Sequence, residues 1–381
     1  MLFYDFEVFK HDWLVVIKDL KNRTTTKIAN DRQALLDFYH ANETNIWIGY
    51  NSRHYDQWIM KAILCGFDPY EVSCHIIEKG EGGWSFSSRF FEVPLYNFDL
   101  MTSMHGLKQL EGFMGNSIQE SSVPFTIDRK LTDEEIEEVF MYCDHDVNQT
   151  MHVYVNRKEE FQSQVDLVQE FKLDASYFSK TKAQLSAIIL GAIKTFRADE
   201  FDISFPTTMK IEKYTQVVDW YRNKDNMFYK HENGRANQLV VDVAGVPHVF
   251  GWGGLHGAIP KYSDEGIFIN MDVESYYPAL MIEYNFLSRN VLDSEKYRRI
   301  RDMRIELKKV KDPRQAPYKI VLNSTYGAMK DQYNNLYDPL QANNVCVAGQ
   351  LLLLDLIERL EPYCQLIQSN SDGILVKFVS I

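Results

Sequence analysis

Zinc-type cysteine spacing, a leader-like start and long apolar runs are all missing from this 381-residue chain. Its five cysteines, Cys65, Cys74, Cys143, Cys346 and Cys364, are odd in number and form no Cys-x-x-C pair. That pattern excludes a zinc ribbon and a disulfide framework, and it fits a reducing compartment. The opening MLFYDFEVFK has no basic segment followed by an apolar one, and the run Leu351-Leu-Leu-Leu354 is closed by Gln350 and Asp355, far short of a bilayer's thickness. The expectation is a soluble cytoplasmic protein with no membrane partner. Positive charge is scarce too: 41 Lys and Arg stand against 53 Asp and Glu, a formal net charge of -12, which excludes a uniformly basic coat for nucleic acid.

What is present is unevenly placed. An apolar content of 45% supports two or three domains with their own cores. Between Lys296 and Lys319 lie Arg298, Arg299, Arg301, Arg304, Lys308, Lys309, Lys311 and Arg314, against only Asp302, Glu306 and Asp312. Such a run is also the mark of a solvated helix face. Its position immediately before the Lys319 segment described below favours an anion site.

Pattern gives the organisation in outline. Phe3–Phe9 and Trp13–Ile17 are β-prone, and Lys18–Lys27 reads as a turn and a further strand, the start of a meander. Helices are expected at 31–42 and 52–64, with a strand at 45–50 between them. The Gly-containing stretch at 81–88 reads as loop or hairpin. A long helix over 131–157 is opened by Thr132 with Glu135 three residues on, a capping box. From 160 to 235 the periodicity is mostly helical with strand-like patches. Strands resume at 239–250 and 266–271, around Gly251-Trp-Gly-Gly-Leu-His-Gly257.

Carboxylates recur where strands and helices would carry them to one spot. Asp5 and Glu7 are two apart on a strand and project to the same face. Asp56 closes Asn51-Ser-Arg-His-Tyr-Asp56, and Asp146 follows Tyr142 by one helical turn in Tyr142-Cys-Asp-His-Asp146. Three or four converging carboxylates suit two Mg²⁺ ions, which take hard oxygen ligands and can clamp both attacking and leaving oxygens of a phosphodiester. Asp144 lies off the face shared by Tyr142 and Asp146, and no motif claims Asp99, so both are set aside.

A second constellation follows. Asp272-Val-Glu-Ser-Tyr-Tyr-Pro278 begins at the end of the apolar strand Ile267–Met271, expected to be buried, and Lys319-Ile-Val-Leu-Asn-Ser-Thr-Tyr-Gly327 lies 47 residues on. In the latter, Lys319, Asn323, Tyr326 and Gly327 fall on one helical stripe. Gln368-Ser-Asn-Ser-Asp-Gly373 sits between two apolar runs as a strand-turn-strand, 53 residues separating Lys319 from Asp372.

These segments together resemble the family B DNA polymerases, specifically the compact kind carried by bacteriophages, with an N-terminal 3′–5′ exonuclease of the DEDDy type. The resemblance implies an α/β (α+β) fold: an RNase H-like exonuclease domain at 1–160, a connecting region at 161–260, palm at 261–294 and 336–381 with an antiparallel sheet, and helical fingers at 295–335. It implies Asp5, Glu7, Asp56 and Asp146 as metal ligands, Tyr142 orienting the attacking water, and Asn51 and Tyr55 touching a single-stranded 3′ end. In the polymerase half it implies Asp272 and Asp372 as metal ligands and Tyr277 as the gate against a 2′-hydroxyl. Lys319 and Asn323 would face the triphosphate, and Tyr326 and Gly327 the nascent base pair. A second phosphate ligand would come from Arg301, Arg304 or Lys308, with no choice among them. Gly253 and Gly254 would contact the template.

The implied cofactors are two Mg²⁺ per site, with Mn²⁺ able to replace them. The implied partners are primer-template DNA, single-stranded 3′ ends and dNTPs, and the implied setting is viral DNA replication in a bacterial cytoplasm. Two departures stand out. Asn370 replaces the first aspartate of the family's Tyr-x-Asp-Thr-Asp-Ser string, and Gly251 stands where a tyrosine precedes the paired glycines. No thumb is expected after residue 381, so the chain reads as a piece of a longer polymerase or as a split-gene product whose partner supplies the thumb. An exonuclease with an inactive polymerase half, or a non-catalytic DNA-binding subunit, are the other readings.

Overall fold

The computed structural model describes residues 1–101 and 105–378, so the last three residues of the expected 336–381 segment lie outside it. Two compact units divide the chain, Met1–Lys180 and Thr181–Ile381. Among the described residues the architecture is mixed α/β, with twelve α-helices and two sheets.

The first unit is built on β1 (Leu2–Val8), β2 (Trp13–Asp19), β3 (Thr24–Ala29), β4 (Ile46–Gly49) and β5 (Tyr96–Asp99), in the order β3-β2-β1-β4-β5. The first three strands form the antiparallel meander that the sequence suggests, and β4 and β5 add in parallel. Parallel addition needs crossovers, which α1 (Arg32–Ala41), α2 (Asp56–Cys65) and α3 (Pro69–Ile77) supply. Because α2 and α5 (Asp133–Asn156) both pack on β1, that strand is buried along nearly its whole length rather than in alternation. The capping box of Thr132 and Glu135 is present and opens α5 as expected. Between β5 and α5 lies the short α4 (Leu107–Phe113). The 81–88 stretch holds the 3₁₀ turn Gly83–Ser85, and a second, Ser88–Glu92, begins at its end.

This unit runs past 160 because α6 (Lys158–Glu170) and the turn after it return to the sheet. Phe161 and Phe178 pack edge-on or tilted against Phe98 of β5, with ring centroids 5.1 and 5.7 Å away.

The second unit starts with α7 (Lys182–Leu190) and α8 (Thr215–Arg222), and carries a six-stranded sheet of β6 (Gln238–Val243), β7 (Val246–Gly251), β8 (His256–Ala258), β9 (Phe268–Asp272), β10 (Cys364–Asn370) and β11 (Gly373–Phe378). The order is β6-β7-β8-β10-β11-β9, and every pairing is antiparallel. Between β9 and β10 come α9 (Tyr276–Glu283), α10 (Ser294–Lys309), α11 (Gln315–Lys330) and α12 (Pro339–Leu360). By length and composition α12 could cross a membrane, with a mean hydropathy of 1.3, but 83% of that window is buried, and its apolar residues form the core with α8 and the sheet.

Two sequence expectations need correction. The strand-like patches of 160–235 are α6, α7 and α8 with their connections, and no named strand lies there. The strand leading to Asp272 is not buried. Among the described residues β9 pairs only with β11 and forms the edge of the sheet, which leaves Ile267 70% exposed and Phe268 and Ile269 each 38% exposed. An apolar composition identified a strand but could not say which side of the sheet lacked a neighbour.

Candidate active sites

In the first unit β1, α2 and α5 bring four carboxylates together. Asp5 and Glu7 point from one face of β1, and the backbone N–H of Phe6 between them donates to Asp56 Oδ1 at 3.1 Å. Asp146 comes from α5. Burial and then mutual repulsion hold the carboxyls of Asp5 and Glu7 well above the usual range; Asp56 and Glu7 act on Asp5, and Asp146 and Asp56 act on Glu7. Burial also raises Asp146, and it pushes Asp56 up to about 7 despite the Phe6 bond. Burial raises all four acids, repulsion from the others adds to it at Asp5 and Glu7, and the charge nearby that opposes it is the Lys108 ammonium.

Local chemistry explains the arrangement. Asn51 takes the left-handed conformation (φ 60°), tolerable for asparagine, and its carbonyl accepts from His54 and Tyr55 at 3.0 and 3.2 Å, turning the chain from β4 into α2. Asp56 is thereby the first residue of α2, close to the helix's positive end. Tyr55 shares a 2.8 Å hydrogen bond with Ser73 and lines a cavity of about 450 Å³ together with Glu7, Tyr70 and Phe125. Asn51 is exposed and stands outside that cavity. Tyr142 lies beside Asp146, and burial followed by the Asp146 and Glu7 charges pushes its hydroxyl pKa up.

The residues set aside have structural partners. Asp144 pairs with Lys18 at 2.8 Å, and Asp99 accepts from the backbone N–H groups of Arg53 and Met101 at 3.0 and 2.9 Å. Sequence reasoning missed Lys108 of α4, whose Nζ is 2.5 Å from Asp146 Oδ1 and 4.7 Å from the Tyr142 ring centroid. A lone lysine 38 residues from its partner gives no pattern to find. It also missed Cys143, which can place a ligand atom within 4.8 Å of those of Asp5 and Glu7. Burial pushes the Cys143 thiol well up, and it donates to the Asp5 carbonyl at 3.3 Å. A neutral thiol suits a hard cation poorly, whereas the surrounding carboxylate set fits Mg²⁺ or Mn²⁺ well.

In the second unit one cavity of about 330 Å³ gathers the other constellation. Its lining includes Ser275, Tyr277, Arg304, Lys319, Asn323, Tyr326 and Asp372. The five-residue connection at 310–314 folds α10 back along α11, so that Tyr297 near the start of α10 donates to the Leu322 carbonyl at 2.9 Å. Lys319, Asn323 and Tyr326 then share one side of α11. The rings of Tyr277 and Tyr326 are 4.5 Å apart, and Lys330 lies 4.9 Å from the Tyr326 centroid. Burial, then the neighbouring Cys346 and Asp372, pushes the Tyr277 hydroxyl up to about 12.

The three basic candidates are not equivalent here. Arg301 pairs with Asp302 at 2.8 Å and with Glu283 at 3.4 Å, and Lys308 pairs with Glu274. Arg304 is 9% exposed, donates to Ser275 Oγ at 2.6 Å, and keeps a buried Nε with no hydrogen-bond partner.

Asp372 occupies the β10–β11 turn, while Asp272 ends β9 directly opposite Gly373 and stands outside the cavity lining. Asn370 pairs with Gly373 and His256 along the sheet. The donor set here is two carboxylates and an amide, which suits oxygen-seeking cations but is poorer in charge than the first unit's cluster. Gly253 and Gly254 line a separate cavity with Trp252, Tyr229 and His256. Gln350 donates to the Gly251 and Gly253 carbonyls at 2.7 Å each, and a Cβ on Gly254 would meet Ser371 Oγ at 2.7 Å, so this loop abuts the Asp372 turn. Gly327 has open space beside its Cα.

No family model matches the chain, and no curated protein matches it in sequence. Among solved structures it is similar to the family B DNA polymerase from the hyperthermophilic archaeon Pyrobaculum calidifontis, with a TM-score of 0.52 at 14% identity. The similarity covers 100% of this chain and 53% of that polymerase, so the chain spans about half of its length. The likeness is one of fold alone.

Proposed function

We propose that this protein is a DNA-directed DNA polymerase of family B, of the compact bacteriophage kind, with a 3′–5′ proofreading exonuclease in its first unit. The observation that carries the polymerase reading is the single cavity where Tyr277, Lys319, Asn323, Tyr326, Arg304 and Asp372 meet from separate segments. Arg304 and Lys319 would take the triphosphate, Arg304 by a guanidinium fork that Ser275 already orients. Tyr277 and Tyr326, packed at a tilt in the cavity wall, would bear on the sugar and the base pair. Asp272 and Asp372 would hold divalent metal in this site, and Asp5, Glu7, Asp56 and Asp146 in the other. Bound metal would supply charge neutralisation and an activated oxygen nucleophile in each. Tyr142, beside Asp146, would orient the attacking water, and the Tyr55 cavity would take the frayed 3′ end. Gly253 and Gly254 would meet the template.

The domain layout proposed is nuclease at 1–160, connection at 161–260, palm at 261–294 and 336–381, and fingers at 295–335. Replication inside an infected bacterium belongs to the same reading. One observation favours a second: Asn370 leaves the polymerase site with two carboxylates against four in the nuclease, as expected of a nuclease with a weakened polymerase half.

Primer extension decides between them. A 5′-labelled primer-template with Mg²⁺ is incubated with and without dNTPs, using the unaltered chain, Asp5→Ala/Glu7→Ala and Asp272→Ala. Extension lost only in Asp272→Ala supports the polymerase. Digestion without extension, lost only in Asp5→Ala/Glu7→Ala, leaves the nuclease alone, and neither activity refutes both.

A further inference from the structure

Helix α4 docks by a carboxylate. Glu111 is its one buried side chain, at 0% exposure, whereas Phe113 is 71% exposed and Leu107 and Leu110 are only half-buried. A surface helix is ordinarily held by an apolar stripe, and a buried carboxylate is costly unless paired. Glu111 has two partners. Its Oε1 shares a hydrogen bond with His145 of α5, and its Oε2, which has no hydrogen bond of its own, lies 3.8 Å from Lys108 Nζ one turn back on α4. Lys108 in turn reaches Asp146 at 2.5 Å and lies over the Tyr142 ring. Further along, Asn116 donates to Gln149 of α5 at 2.8 Å, so polar contacts again hold the segment to α5.

We infer that Glu111 is a positioning residue of the nuclease site: with His145 it latches α4 to α5 and sets the Lys108 ammonium against Asp146 and Tyr142. The inference rests on the nuclease reading of the first unit. A cation fixed at that point balances carboxylate charge and offers a donor to an anionic phosphate. A lysine stem tethered at one end only would spread over many rotamers. Glu111 never needs to touch the nucleic acid, since it works through Lys108.

Two measurements test this. In metal-free protein, labelling of Lys108 by an amine-reactive ester, read by mass spectrometry, should rise several-fold in Glu111→Gln and in His145→Gln. In Mg²⁺-dependent digestion of a single-stranded oligonucleotide, Glu111→Gln and Lys108→Ala should each lower kcat about tenfold with KM within about twofold, and the double variant should be no worse than Lys108→Ala. A thermal melt accompanies each variant, and His145→Gln cuts the same latch from α5 should Glu111→Gln not fold. Unchanged Lys108 labelling in a folded variant, or losses that multiply in the double variant, overturn the inference. Digestion that is metal-dependent but indifferent to Glu111→Gln overturns it alone. If the unaltered chain digests nothing, the nuclease reading and this role fall together, and the labelling still reports whether the latch exists.

Discussion

Gly373 faces Asp272 across the β9–β11 pair so closely that a Cβ on Gly373 would lie 2.1 Å from Asp272 Oδ1 and 3.0 Å from the Met271 carbonyl oxygen. The glycine is therefore what lets the Asp272 carboxylate lie over the neighbouring strand beside the Asp372 turn. Gly373→Ala must displace that carboxylate, and a misplacement of about 1 Å at a reacting centre can cost on the order of 100-fold. Single-nucleotide incorporation should fall by that order while digestion of a single strand is unchanged. Incorporation within about twofold of the unaltered chain would remove Asp272 from the reaction.

Among the basic residues of α10, Arg304 alone lines the cavity. Losing a charge-assisted hydrogen bond costs about 1.5–3 kcal/mol, so Arg304→Ala should raise the KM for dNTP by roughly 10- to 100-fold. Arg301→Ala and Lys308→Ala, whose side chains are engaged with Asp302, Glu283 and Glu274, should leave it within about threefold. Arg304→Lys should not restore binding, because a lysine has no fork to span Ser275 and a phosphate. Steady-state kinetics at fixed primer-template measures all four.

The contrast between Arg304 and Lys308 also marks what the sequence could and could not tell. Local patterns were legible: the Thr132 capping box, the β1–β3 meander, and the stripe of Lys319, Asn323 and Tyr326 are set by neighbours within a few residues. Which face of α10 turned inward depended on packing against α11, and the exposure of β9 depended on a strand order fixed by chain more than 90 residues away. Lys108 and Glu111 were invisible for the same reason, since α5 supplies their partners more than 30 residues on. Neither periodicity nor motif spacing encodes such long-range polar pairings.

Gln350 should prove structural rather than chemical. Buried at 2% exposure, it donates to the Gly251 and Gly253 carbonyls and accepts from Tyr221 Oη at 2.9 Å. Gln350→Leu keeps the volume and strands several polar groups, each costing about 1–3 kcal/mol, so a loss of roughly 3 kcal/mol is expected in urea unfolding of the second unit's transition. Extension should suffer more than digestion, because the glycine loop that Gln350 holds abuts the Asp372 turn. Equal loss of both activities at a temperature where the variant is folded would contradict that assignment.

The four nuclease carboxylates make a prediction about pH with a definite sign. In the metal-free protein Asp5, Glu7, Asp56 and Asp146 all lie above their ordinary values, Asp56 at about 7, through burial, with repulsion from the neighbouring acids adding to it at Asp5 and Glu7. A carboxyl whose folded pKa is raised binds its proton more tightly in the native state, so its contribution is complete below about pH 4 and is lost as pH rises toward 7 and beyond. Groups with lowered values do not mask this: Glu135, held at about 2 by Arg129, has already given its full contribution above about pH 5. With EDTA present, the melting temperature of the first unit should therefore fall from pH 5 to pH 8, and Asp56→Asn should flatten that slope by removing a buried charge that costs roughly 2–4 kcal/mol at pH 8. Mg²⁺ should restore the pH 8 melt in the unaltered chain and do less in Asp5→Ala, since cation binding to the native state adds stability by mass action. Calorimetry at both pH values, with and without Mg²⁺, reads all of these, and a metal-free melt that rises with pH would mean that the four acids are not pressed together as the fold places them.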